Sequence, residues 1–275
     1  MSRILSSREI EITESQSPLS FATEGGGSWE KWDRYLLLEG KKAYHIGNIC
    51  GTCTFFFERL SGANASVNPA KVVEELTAGL SSVTSSAVDH IQKIMPVGEY
   101  FVSLHEITLS ITTPGASNDY FAKEQVDLGG MDSFFGLPHS PKTEYYRAET
   151  KVFNKHSCLF EFLIPMFPSR WLNEKRILEM ADLLGAGKRP TAIALSVLDV
   201  KQPADWTGEP VVNEHWCLAH YLIDGHHKAY AASQNNQPIT LLSFLALREG
   251  VSSEEQKQRI IELLSQSVPT AQAKH

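Results

Sequence analysis

The sequence predicts an α+β fold, with helices flanking a mixed sheet, and three observations predict it. The first half joins a stretch with helix-spaced apolar residues to a partly alternating, β-rich stretch. The second half runs in the order strand, turn, helix, strand, with clear punctuation. The 275 residues, 42% hydrophobic and 21% charged, are enough to bury a large core without help from disulfides or metals.

Taken in order, residues 1–28 are polar and read as an ordered but peripheral start. They lead into "ATEGGGSWEKWD", where three glycines make a loop before an aromatic run. In "NPAKVVEELTAGLSSVTSSAVDHIQKIMP", Asn68 is a cap and Pro69 takes a first helical position. Val72, Val73, Leu76, Leu80 and Val83 recur at helical spacing, giving one helix or two, closed by Pro96. "GEYFVSLHEITLSITTPG" is β-rich, and after a loop-rich stretch "CLFEFLIPMF" is an apolar strand. Ser169 caps "RWLNEKRILEMADLL" and Gly185 ends it, before the nearly continuous apolar strand "TAIALSVLDV". Ala219 to Ile223 form a second buried strand, Asp224-Gly225 a sharp turn and "HHKAYAASQN" a helix. "ITLLSFLAL" is a third strand, and Ser252 with Glu255 makes a capping box for "SSEEQKQRIIELLSQ". Residues 1–168 thus form an α+β part, and residues 169–275 a second unit that is either separate or fused with it.

A net charge of −7 argues against extended binding to nucleic acid or to an anionic membrane, which needs clustered Lys and Arg. The sequence has no signal segment and no apolar run of about 18 residues, so the expected location is the cytoplasm. Four cysteines do not make a disulfide scaffold. In a reducing compartment, Cys50 and Cys53, spaced C-x-x-C, suggest metal binding or redox chemistry.

The densest chemistry lies in "EHWCLAHYLIDGHHKAYAAS". With a helix starting after Gly225, the unpaired N–H groups and positive dipole end fall where His226, His227 and Lys228 lie. Cationic side chains are unfavourable there by roughly 0.3–1 kcal/mol each unless an anion repays them. Gly225 permits close backbone approach, Asp224 caps the helix or orients a histidine, and Lys228 supplies a point charge for phosphate. The competing readings are a tight turn with two satisfied histidines, and a metal site.

These residues carry a resemblance. "YLIDGHHKAYAA", flanked by "RPTAIALSVLDV" and "ITLLSFLAL", resembles the strand, DGHHR and Ala-rich helix signature of the ParB and sulfiredoxin-like superfamily, over residues 187–247. The resemblance implies that Gly225, His226, His227 and Lys228 hold nucleotide phosphates, as in the nucleotide-binding members, which include a kinase acting on free serine. Lys228 stands where arginine is usual, so a bidentate fork is lost. The absence of cysteine from the loop argues against sulfinic-acid repair. One helix after the third strand leaves no room for the helix-turn-helix with which ParB proteins read DNA.

A zinc site is the second candidate. On an extended strand His215 and Cys217 face one side, and with Cys50 and Cys53 they make a Cys-Cys-His-Cys set; the alternative is unrelated buried thiols. His45 lies near the C-x-x-C, and Cys158 reads as a core thiol. "HEITL" at His105 and Glu106 lacks the second histidine of a metalloprotease motif, and "SRW" and "YYR" place arginines beside aromatics, as ordinary folds also do. His139 in "GLPHSP" sits in a proline-pinned loop.

The function these features support is nucleotide binding, with phosphoryl transfer to a small molecule. The turn holds the phosphates of ATP or another nucleotide, Mg²⁺ bridges them, and Glu214 or Asp199 acts as base or metal ligand beside Asp224 and His226. The alternatives are a non-catalytic, zinc-stabilised ligand-binding or regulatory protein, and a metal-dependent hydrolase using His220, Asp224, His226 and His227.

Overall fold

A computed structural model describes residues 3–265 apart from 66, 68, 70–71, 114, 118, 120, 123–143, 149, 155 and 203–213. Asn68 and His139 lie outside the described residues. The strands are β1 (Arg3–Ile12), β2 (Leu19–Gly26), β3 (Trp29–Leu38), β4 (Lys41–Asn48), β5 (Glu58–Arg59), β6 (Gly98–Thr108), β7 (Ser110–Thr112) and β8 (Tyr145–Arg147), then β9 (Lys151–Asn154), β10 (Ser157–Ile164), β11 (Thr191–Lys201), β12 (Glu214–Asp224) and β13 (Pro238–Ala246). The helices are α1 (Val73–Ala78), α2 (Ser86–Ile91), α3 (Glu174–Gly185), α4 (His226–Asn235) and α5 (Glu254–Ser265).

The α+β class holds. Nine strands form one mixed sheet in the order β1-β6-β13-β11-β12-β10-β8-β7, with β9 on β10, and β2 to β5 form a second sheet. β11 runs parallel to β13 and antiparallel to β12, and β12 runs parallel to β10. All eleven residues of β11 are buried, which is why its sequence is apolar almost throughout: both faces of the strand are covered. The boundary at residue 168 does not divide this sheet, because β6 and β10 from the first part pair with β13 and β12 from the second.

One face of the large sheet, including Val102, Phe162, Leu195, Ala219 and Phe244, packs against Leu36, Tyr44 and Ile46 of the small sheet and against Leu76 and Val88 of the short helices. A buried ion pair ties the two sheets together: Arg34 on β3 donates to both Asp199 oxygens on β11, at 3.0 and 2.5 Å. Removing one partner from such a pair costs about 3–5 kcal/mol, since it leaves the other charge buried and uncompensated.

The opposite face carries two separate apolar patches. α3 and α4 cover Ala192, Ala194, Leu222 and Leu241 with Leu184, Ala229 and Ala232, and α5 covers Phe101, Leu198, Leu218 and Leu245 with Ile260 and Leu264. Between the patches a row of polar side chains crosses five adjacent strands: Ser103 and His105 on β6, Ser243 on β13, Ser196 on β11, His220 on β12 and Glu161 on β10, none more than 2% exposed. Ser196 Oγ lies 2.7 Å from His220 Nδ1 and 2.8 Å from Ser243 Oγ, His220 Nε2 is 3.1 Å from Glu161 Oε1, and Ser103 Oγ is 2.6 Å from His105 Nε2.

Helix ends differ from the expectation by small steps with local causes. Ser169 opens a 3-10 turn, and the cap of α3 is Asn173, whose side chain accepts from the Arg176 N–H. The capping box of α5 falls one residue later, with Ser253 N–H donating to Gln256 Oε1 and Gln256 N–H to Ser253 Oγ. Of the one helix or two expected before Pro96, two short ones form, α1 and α2. Among the described residues, no helix is long and apolar enough to cross a membrane.

Candidate functional site

The turn between β12 and α4 is built from Gly225 outward. Gly225 has φ +98° and no side chain caps α4. A Cβ at Gly225 would lie 2.7 Å from the Ala192 Cβ, so the position demands glycine on both backbone and packing grounds. Ala229 N–H donates to the Gly225 carbonyl. Among the described residues, no acceptor reaches the N–H groups of His226, His227 and Lys228, the orphan donors of a helix start.

The side chains of the turn point into the structure. His226 Nε2 accepts from the Met166 N–H and His227 Nε2 from the Asn173 N–H, both at 3.0 Å, so each imidazole is neutral. Burial, then the neighbouring His227 and Arg59, pushes the His226 pKa down to about 3. Burial and Arg176 lower that of His227 against an opposing pull from Asp224. Lys228, expected to offer a point charge to phosphate, is buried: its ammonium donates to the Thr191 carbonyl at 2.8 Å and lies 3.7 Å from Asp224 Oδ2. The hydrophobic surroundings that β11 supplies draw the aliphatic stem inward, and burial lowers its pKa against the pull of Asp224.

The positive charge at the turn comes from other residues. Arg59 follows the "FFFE" run; its guanidinium donates to the Met166 carbonyl at 2.5 Å and stacks over Trp171 at 5.2 Å. Arg59 and Arg170 act electrostatically on one another, and Arg59 and Arg176 act on the turn histidines. Arg170, Trp171 and Arg176 are exposed, and the Phe167 ring bridges Trp171 and His226 at 6.4 and 4.6 Å. Nearby acids are Asp224, beside Lys228, and Glu144, which accepts from the Ser169 N–H. Sequence reasoning noticed the "SRW" arginine only as an aromatic neighbour and missed Arg59 and Arg176, which approach the turn only once the strands and α3 are in place.

Other expected site residues lie elsewhere. Glu214, expected as a base beside the turn, begins β12, ten residues from Asp224 and therefore roughly 33 Å away at about 3.3 Å per residue. Its carboxylate accepts from Ser157 Oγ and Trp216 Nε1. Asp199 is committed to Arg34 and to the Val251 N–H. The zinc set is not assembled: Cys50 and Cys53 are bonded to each other, and Cys217 is a buried thiol. The His215 ring packs on Phe121 and Phe160, and burial pushes its pKa down to about 4. Among the described residues, no three His, Cys, Asp or Glu side chains gather as metal ligands, His220, Asp224, His226 and His227 included. His45 is 3.0 Å from Asp33, and the "YYR" arginine, Arg147, stacks on Phe162 and bonds Asp119.

The chain is thus an α+β protein whose mixed sheet carries a glycine-hinged, arginine-rimmed helix start. Known protein families, curated proteins and solved structures offer no match to it.

Proposed function

We propose that this is a cytoplasmic nucleotide-binding protein that holds phosphate at the start of α4. The observation that carries the reading is the set of arginines near the turn histidines, Arg59 acting on His226, Arg176 on His227 and Arg170 on Arg59, beside a helix start whose first N–H groups meet no acceptor among the described residues, in a chain whose net charge is −7. Cations gathered at the positive end of a helix repel one another and the dipole, and an anion relieves both. The turn side chains serve as scaffold, with His226 and His227 bracing residues 166–173 and Lys228 anchoring α4 to β11. Phosphate is gripped by main-chain N–H groups and arginines, and the exposed Trp171 ring offers a stacking surface for a base.

The reaction class this site suits is phosphoryl transfer to a small molecule, as the resemblance of the turn implies. In this reading Asp224, its side chain 31% exposed, would hold Mg²⁺ together with phosphate oxygens. With Glu214 at the far end of β12, Asp224 is also the nearest candidate for orienting an acceptor hydroxyl. That scarcity of carboxylates favours a second reading, a ligand-sensing protein without turnover.

A thermal-shift series with ATP, ADP, GTP and inorganic phosphate, each with and without Mg²⁺, tests the binding. A ligand at about 100 times its Kd should add roughly 2.7 kcal/mol of stability. Arg176→Ala, at an exposed position, should weaken that ligand by about tenfold or more with the fold intact. No shift with any nucleotide removes the reading. Consumption of the bound nucleotide in the presence of hydroxyl amino acids separates an enzyme from a sensor.

A further inference from the structure

The loop between β4 and β5 carries chemistry that the phosphate site does not use. Cys50 and Cys53 are bonded to each other with Cα atoms 5.4 Å apart. Both are half-buried, and the intervening Gly51 and Thr52 are exposed. The other cysteines, Cys158 and Cys217, are buried and outside any disulfide, so this pair alone is within reach of an external thiol.

Directly beneath lies Lys201, the last residue of β11, 1% exposed. Its ammonium donates to the Cys50 carbonyl at 3.0 Å, the Asn48 carbonyl at 3.3 Å and Asn48 Oδ1 at 3.4 Å. Asn48 Oδ1 also accepts from the Cys50 N–H, and the Gly51 carbonyl accepts from the Gln202 N–H at 2.7 Å. The loop is thereby a cap of carbonyls over a buried cation. The charged groups that act on Lys201 are Arg34 and Asp199, which offset one another as a bonded pair, and the Cys217 thiol is the further titratable group beside it. Burial lowers the Lys201 pKa, and the three oxygens that accept from its ammonium hold the positive charge under the cysteine loop. Reactive dithiols occupy such surroundings, partly exposed and next to a cation that favours the thiolate.

We propose that Cys50 and Cys53 form a redox-active site, a reversible dithiol–disulfide that exchanges with dithiol reductants, with Lys201 as its positioning residue. In the reducing direction a thiolate of the external dithiol attacks one sulfur of the pair, the S–S bond breaks, and a mixed disulfide forms. The second thiol of the reductant then displaces the remaining cysteine. Two electrons and two protons reach Cys50 and Cys53, and the reductant leaves as its own disulfide. Opening the bond loosens the carbonyl cap, so the redox state is transmitted to Lys201 and to the Gln202 N–H at the end of β11.

The full chain is equilibrated in mixtures of reduced and oxidised dithiothreitol, acid-quenched, and labelled with a polyethylene-glycol maleimide. Two labels should appear together in the native protein, with Cys158 and Cys217 labelled only in denaturant. In the reduced protein, the pH midpoint of alkylation by iodoacetamide should lie below that of an ordinary thiol. Lys201→Met should slow alkylation at pH 7 by about tenfold, the factor for one unit of thiolate pKa. Because that variant removes a buried charge and can fail to fold, amide exchange at Gln202 is followed in the parent, where reduction should accelerate it about tenfold or more. A pair that stays closed in the native protein under excess dithiothreitol overturns the proposal, as does an ordinary alkylation midpoint. Uptake of one zinc per reduced chain with both thiols protected also overturns it, making the pair half of a metal site.

Discussion

At His226 a single ring nitrogen ties the turn to residues 166–173, because only the neutral imidazole can accept from the Met166 N–H. Its folded-state pKa of about 3 lies below the ordinary 6.5, chiefly through burial, so acid favours the unfolded chain. The stability it contributes is complete above about pH 6.5 and is lost as pH falls toward 3, at roughly 1.4 kcal/mol per pH unit. His215, lowered to about 4 by burial, adds the same slope between about 6.5 and 4. Urea midpoints measured across pH 7 to 4 should therefore fall steeply. His226→Gln, which retains an acceptor, should flatten the curve and recover roughly 2 kcal/mol of the loss at pH 5. Lys228 makes a different test, because its charge is spent on the Thr191 carbonyl and not on a ligand. Lys228→Met should cost about 1–3 kcal/mol in chemical denaturation by leaving that buried carbonyl unpaired, while nucleotide affinity changes less than it does in Arg176→Ala. Equal losses of affinity in the two variants would place the lysine at the ligand after all.

Among the elements, the junction of β12 and α4 concentrates the tightest constraint. Gly225→Ala puts a Cβ 2.7 Å from the Ala192 Cβ at φ +98°, so both strain and overpacking apply. A loss of about 2–4 kcal/mol is expected, read as a lowered denaturant midpoint. A change under 0.5 kcal/mol would mean that β11 yields at Ala192. This junction was legible in the sequence because its signals are local: a buried apolar strand, Asp-Gly, then an alanine-rich run, and α4 starts at His226 as expected. β11 and β13 were legible for the same reason, as nearly continuous apolar runs. The direction of the Lys228 side chain was not, because its burial depends on Thr191 and Ala192, more than thirty residues away. The same limit hid the arginine cluster, whose members come from β5, the 3-10 turn at Ser169–Trp171 and α3.

For the molecule as a whole, the sheet order decides what can fold alone. A fragment of residues 169–275 would keep β11, β12 and β13 but strip β6 from β13 and β10 from β12, leaving long apolar edges with unpaired backbone groups. That fragment should be aggregated or unfolded by circular dichroism and sedimentation, whereas the full chain should unfold in one transition by fluorescence and by calorimetry; a soluble, cooperative fragment would restore the division at residue 168. Strands this uniformly apolar also face a problem of identity, since one oily segment can pair with another at several offsets. Ser103, Ser243, Ser196, His220 and Glu161 each sit between a residue of the α5 patch and one of the α3–α4 patch. Sliding β13, β11, β12 or β10 by two residues would drive its hydroxyl, imidazole or carboxylate into the apolar surroundings of one patch or the other. The polar row therefore works as a combination lock: β10, β12, β11 and β13 must stop at the same tumbler before Glu161, His220, Ser196 and Ser243 are all satisfied, and a sequence rich in interchangeable hydrophobes is held to a single alignment.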